Sequence, residues 1–97
     1  MEIKQQQKGT QLKVTLKGFL DTMTSPQLEK ELDLKGVQDL VIDMKGIEYV
    51  SSAGLRTLLS FHKTLNSQKG KMTLLHLTKE VKEIFSMVGF MDILNIK

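Results

Sequence analysis

The chain switches repeatedly between two hydrophobic periods, and that alternation restricts the fold more than any other feature. Leu12, Val14 and Leu16 alternate with Lys13, Thr15 and Lys17, the two-residue period of a half-buried strand. Ile3 to Gln7 reads as a weaker strand, with Lys8-Gly9-Thr10 as a hairpin turn between the two. Gly18-Phe19-Leu20-Asp21-Thr22 is expected to leave the sheet. A helix opens near Thr24-Ser25-Pro26, where Thr24 or Ser25 supplies a cap and proline suits the first turn. Its apolar stripe is thin (Leu28, Leu32, Leu34), and Gly36 breaks it.

Leu40-Val41-Ile42 is a continuous apolar run, which predicts a central strand covered on both faces and ended by Asp43. A second helix follows Ser52, with Leu55, Leu58, Leu59, His62 and Leu65 on one face and Gly70 as its stop. Met72 to Leu77 reads as a strand. Thr78 caps a third helix with Val81, Ile84, Phe85 and Val88 inward, and Gly89 ends it. Ile93 to Ile96 forms a short last strand. The order strand, strand, helix, strand, helix, strand, helix, strand predicts an α/β domain. Its sheet is mixed and mostly parallel, of four to five strands, with three main helices.

Ninety-seven residues suffice for one domain, spanning 1–97, with no linker or repeat. The absence of cysteine removes disulfides and thiolate metal sites. No apolar run approaches the ~20 residues of a membrane span, and the first residues lack the apolar centre of a signal peptide. A soluble cytoplasmic protein is the expectation. The net charge of +3 is spread along the chain and aromatics are few, which predicts no nucleic-acid partner. No membrane partner is expected either.

Candidate chemistry gathers at Ser51-Ser52-Ala53-Gly54, where the central strand meets the second helix. Helix starts leave N–H groups unpaired and carry partial positive charge, so a hydroxyl there caps the helix or accepts a phosphate. The residues alone leave both readings open. Asp21 and Asp43 are expected at the same sheet end. Asp21 is either a turn aspartate or part of a docking surface. For Asp43 a turn or cap carboxylate is the simpler reading, and organisation of the loop before the serines the functional one. His62 and His76 have no metal-ligand spacing, Ser52 lacks the G-x-S-x-G elbow, and no phosphate-binding glycine loop occurs. No catalytic residue, metal or cofactor is therefore predicted. Met87, Phe90 and Met91 read as core packing around Gly89, with a partner surface built on adaptable methionines as the alternative.

Three blocks together resemble the STAS domain, in particular the stand-alone bacterial anti-sigma factor antagonist. They are Gly18-Phe19-Leu20-Asp21 followed by Leu28, then Tyr49-Val50-Ser51-Ser52-Ala53-Gly54-Leu55, and Ile84-Phe85-Ser86-Met87-Val88-Gly89-Phe90. The resemblance implies a STAS fold and a non-enzymatic regulator that switches partners. Unphosphorylated, such a protein binds an anti-sigma factor that is also a serine kinase with a GHKL-type ATP site. Phosphorylated, it lets go, and a PP2C-type phosphatase resets it. Aligning the motif's glycine and leucine places the acceptor on Ser52, with Ser51 as the alternative. Family members often carry aspartate before the acceptor and serine or threonine after it; here these are Ser51 and Ala53. The implied docking residues are Asp21, Thr22, Ser51, Ser52, Ala53, Gly54, Leu55 and Arg56, presented by a monomer. The other role open to the family is an unphosphorylated subunit of a membrane transporter or lipid-trafficking complex.

Overall fold

The computed structural model describes residues 1–97. Its strands are β1 (Glu2–Lys8), β2 (Gln11–Leu20), β3 (Asp39–Val50), β4 (Lys71–Leu75) and β5 (Asn95–Ile96). Its helices are α1 (Ser25–Glu31), α2 (Ser52–Ser67) and α3 (Lys79–Met87). The five strands lie side by side in chain order. The β1–β2 hairpin is antiparallel, and β2–β3, β3–β4 and β4–β5 are parallel pairs. The predicted mixed α/β fold is the one formed.

Each parallel pair is joined through a helix, and each step moves one strand further in the same direction. Right-handed crossovers repeated in one direction put all three helices on one face of the sheet. Burial agrees. Leu12, Val14 and Leu16 of β2, Leu40, Ile42 and Met44 of β3, and Met72 and Leu74 of β4 form the covered face. The opposite face carries Lys13, Thr15, Val41 and Asp43 and stays open. The expectation that Leu40-Val41-Ile42 is covered on both faces is therefore corrected: Val41 is only half-buried.

Strand lengths also depart from the sequence reading. β2 stays in the sheet through Gly18, Phe19 and Leu20. β3 continues past Asp43 to Val50, because two register shifts against β2 absorb extra residues without ending the pairing. β4 stops at Leu75, so His76 lies beyond it in a left-handed conformation, φ 58°.

The helix ends show how local chemistry sets element boundaries. Thr78 Oγ1 accepts from the Val81 N–H (3.3 Å) and caps α3 as predicted. Thr24 occupies the N-cap of α1, but its hydroxyl is used elsewhere and makes no cap bond. Helix α3 closes with Gly89 at φ 78°, the Gly89 N–H on Ser86 O and the Phe90 N–H on Phe85 O. Helix α2 closes by the same pair of bonds, yet Lys69, not Gly70, takes the left-handed position (φ 60°). The inward stripe of α2 centres on Leu58, Phe61 and Leu65, leaving Leu59 and His62 half-buried. No helix is long and apolar enough to cross a membrane.

Candidate functional site

The start of α2 is built against the end of β2. The Ser51 N–H donates to Leu20 O at 2.9 Å, and Ser51 O accepts from the Leu55 N–H at 2.9 Å. Ser51 is extended (φ −84°, ψ 175°), and its Oγ accepts from the Gly54 N–H at 3.2 Å. That is an N-cap, and it occupies the Ser51 hydroxyl. Ser52, the first helical residue, is exposed, and its hydroxyl bonds to nothing else in the protein. Two adjacent serines are thus given different tasks by one turn of backbone.

Gly54 explains how the helix comes so close. It is buried, and a Cβ placed there would lie 2.6 Å from Leu20 O and 2.9 Å from Val50 Cγ1. Glycine is therefore required for α2 to seat on the sheet. Its small size is used inward, against the sheet. Leu55 is also buried, with 7 % of its surface left, and joins the core. Ala53 and Arg56 stay on the outer side of the helix.

Two depressions lie at the start of α2, one lined by Ser52 and the other by its neighbour Ala53. One, of about 180 Å³, is lined by Tyr49, Val50, Ser52, Leu55, Ile84, Met87 and Val88. It is apolar apart from Ser52. Met87 is 86 % exposed, Tyr49 50 % and Val88 47 %. The reading of Met87 and Val88 as core is therefore corrected: α3 turns Val81 and Phe85 inward and leaves its last turn beside Ser52. Phe90 packs edge-on against Phe85, and Met91 stays partly exposed. Sequence reasoning named Tyr49 and Met87 in a motif and in a core cluster, but not as neighbours of the serine.

The second depression, about 410 Å³, separates α1 from α2. Thr22, Ser25, Pro26, Glu29, Ala53, Arg56, Thr57 and Ser60 line it. Glu29 Oε2 accepts from Thr57 Oγ1 at 2.9 Å and ties the two helices together.

Asp21 shapes the turn that leads into α1. Its Oδ1 accepts from the Met23 N–H (2.9 Å) and the Thr24 N–H (3.1 Å). The Thr24 hydroxyl in turn donates to Phe19 O at 2.7 Å and accepts from the Asp21 N–H at 2.9 Å. The Thr24 N–H above all, then the Met23 N–H, hold the Asp21 carboxyl below its ordinary range, against the opposing effect of desolvation. Thr22, the next residue, is exposed on the cleft wall.

Asp43 is not part of this arrangement. It lies mid-strand on the open face, seven residues before Val50, roughly 20 Å along β3 from the serines. It cannot organise their loop. Its Oδ1 instead meets the Lys45 N–H (3.0 Å) and His76 Nδ1 (3.1 Å). Burial pushes its pKa up, but the Lys45 N–H, His76 and Lys13 together outweigh that and lower it.

No three His, Cys, Asp or Glu side chains converge as metal ligands. The chemistry on display is a free hydroxyl on a rigid helix start, between an apolar patch and a polar cleft.

The family model of the STAS domain matches residues 2–97. The chain belongs to the STAS family. BtrV from Bordetella bronchiseptica is 37 % identical over 81 residues, which cover 80 % of this STAS chain and 70 % of BtrV. The anti-sigma-B factor antagonist of Listeria monocytogenes is 28 % identical over 83 residues, 82 % of this chain and 73 % of the relative. Among solved structures, the anti-sigma factor antagonist SpoIIAA in its unphosphorylated form superposes with a TM-score of 0.77. That match covers 99 % of this STAS chain and 87 % of SpoIIAA at 14 % identity, and is a likeness of fold. The phosphorylated form of SpoIIAA from Bacillus gives 0.70 at the same identity, over 99 % and 91 % of the two chains.

Proposed function

We propose that this chain is a non-enzymatic anti-sigma factor antagonist that exchanges partners according to the phosphorylation of Ser52. Unmodified, it binds an anti-sigma factor that is also a GHKL-type serine kinase. The sigma factor is released. The kinase then phosphorylates Ser52, the complex dissociates, and a PP2C-type serine phosphatase restores the hydroxyl. The observation that carries this reading is the contrast between the two serines. Ser51 Oγ is held in the cap, whereas Ser52 Oγ is exposed and unengaged. The names of the relatives support the antagonist role.

The chemical step needs little from this protein. Ser52 Oγ attacks the γ-phosphorus of ATP, the Oγ–P bond forms, and the bond to the β,γ-bridging oxygen breaks. ADP leaves, and the hydroxyl proton passes to a base of the kinase. The antagonist contributes the position of the hydroxyl, fixed by the Ser51–Leu20 bond and the close seating of Gly54.

Release follows from electrostatics. Phosphate adds roughly −1.5 to −2 charges and three strong acceptors. At the start of α2 the free N–H groups and helix dipole stabilise that charge by about 0.3–1 kcal/mol, so the fold tolerates it. A partner seated over Ser52 and its apolar neighbours gains no such compensation. Burying the phosphate against Tyr49, Met87 and Val88 costs about 3–4 kcal/mol, a loss of two to three orders of magnitude in affinity.

Asp21, Thr22 and Arg56 form the polar side of the docking surface in this reading, with the small Ala53 beside Ser52. Tyr49, Met87 and Val88 form its apolar side. The test is to incubate the protein with its cognate kinase and ATP and to map the phosphate by mass spectrometry. Phosphate on Ser52, lost in Ser52→Ala, is the expected result; full modification of Ser52→Ala would refute the assignment.

A further inference from the structure

Arg56 stands four residues after Ser52 on α2, on the outer side of the helix. Residues so spaced are neighbours on a helix surface, with Cβ atoms about 5–6 Å apart. Arg56 has no anionic partner: the one ion pair in the molecule joins His76 to Asp43. The only carboxylate lining the cleft beside Arg56 is Glu29, and that group is engaged by the Thr57 hydroxyl. A second group on this wall is also unanswered. Ser25, only 2 % exposed, lines the cleft with an Oγ that has no hydrogen-bond partner. The α1–α2 cleft therefore holds a cation without an ion pair and a buried hydroxyl without a partner, one turn from the proposed phosphate.

We propose that Arg56 is an intramolecular clamp for phosphate on Ser52: the guanidinium leaves the cleft and pairs with the phosphate oxygens on its own helix. This rests on the reading of Ser52 as the modified residue and extends it. Guanidinium matches phosphate geometry with two parallel N–H···O bonds, which lysine cannot reproduce. Modification then alters the docking surface twice. It adds an anion beside the apolar pocket, and it withdraws a free cation from the polar cleft. A partner that meets Arg56 in the unmodified protein loses that contact without any change in the backbone.

The test installs phosphoserine at position 52 during translation, so no kinase is needed. The second ionisation of the phosphate is followed by ³¹P NMR at low salt. In the parent protein it is expected below the value of about 6 for free phosphoserine. Arg56→Gln should raise it by roughly one unit, the lower end of what one adjacent opposite charge produces. Arg56→Lys should recover part of the difference. Lys63→Gln, further along α2, should leave the titration where it was. The helix start acts equally on all four proteins, so the differences isolate Arg56. Coincident titrations of the parent and Arg56→Gln would overturn the clamp. That outcome differs from failure of the functional reading, which is a kinase that does not modify Ser52.

Discussion

The Ser51 N–H and the Leu20 carbonyl oxygen lie 2.9 Å apart, and that bond joins the last residue of β2 to the cap of α2. The same oxygen is what a Cβ at position 54 would strike. Strand end, cap and helix start are therefore one unit, and Ser52 is displayed from it at a fixed height above the sheet.

Gly54→Ala tests that unit. The added methyl meets backbone and core side chains, none of which can move freely, although alanine is the better helix former. A net destabilisation of about 1–3 kcal/mol is expected from such overpacking. Urea unfolding measures it; unchanged or increased stability would show that the approach is not tight.

The two serines should separate by experiment. Ser51→Ala removes a cap and should cost about 1 kcal/mol of stability. Ser52→Ala removes an exposed hydroxyl with no partner and should stay within ±0.5 kcal/mol. Phosphorylation by the kinase should be lost in the second variant only. Thermal unfolding combined with phosphate mapping reads both effects.

The apolar side of the docking surface has its own test. Met87→Ser and Tyr49→Ala change side chains that are at least half exposed, so folding should be little affected. Each should weaken kinase binding by about tenfold if the partner covers this patch. Calorimetric titration against the kinase checks the number; equal affinities would move the interface elsewhere.

Asp21 should leave a mark on acid stability. Its pKa in the folded protein is lowered, so the stabilisation it provides is fully present above the unfolded value near 4. That stabilisation is lost as pH falls from about 5 through the lowered value. Asp21→Asn keeps an oxygen for the Met23 and Thr24 N–H groups but cannot titrate. Its stability profile should be flatter below pH 4 than that of the parent. Asp43 contributes in the same direction and sets the residual slope.

Much of this arrangement was legible in the residues. The period-two run of β2, the Thr78 cap and the Gly89 stop report local chemistry, and each appears as read. Asp43 was misplaced for a different reason. The shifts that lengthen β3 depend on its pairing with β2, which no local pattern encodes. The position of Met87 is also a tertiary matter. The sequence shows that α3 is amphipathic, but the exposure of its last turn beside Ser52 follows from tertiary packing that buries only Val81 and Phe85. Lys69 in a glycine-like conformation shows the limit from another side, since the preference for glycine there is strong and still not obligatory.

The most direct test compares the affinity of the cognate kinase for the unmodified protein and for the same protein carrying phosphoserine at 52. Amide NMR spectra of both forms should be recorded alongside. A fall of two to three orders of magnitude is expected, with spectral changes confined to the start of α2 and its surroundings. Equal affinities, or a phosphorylated chain that has lost its fold, would contradict a switch that works by charge on an intact surface.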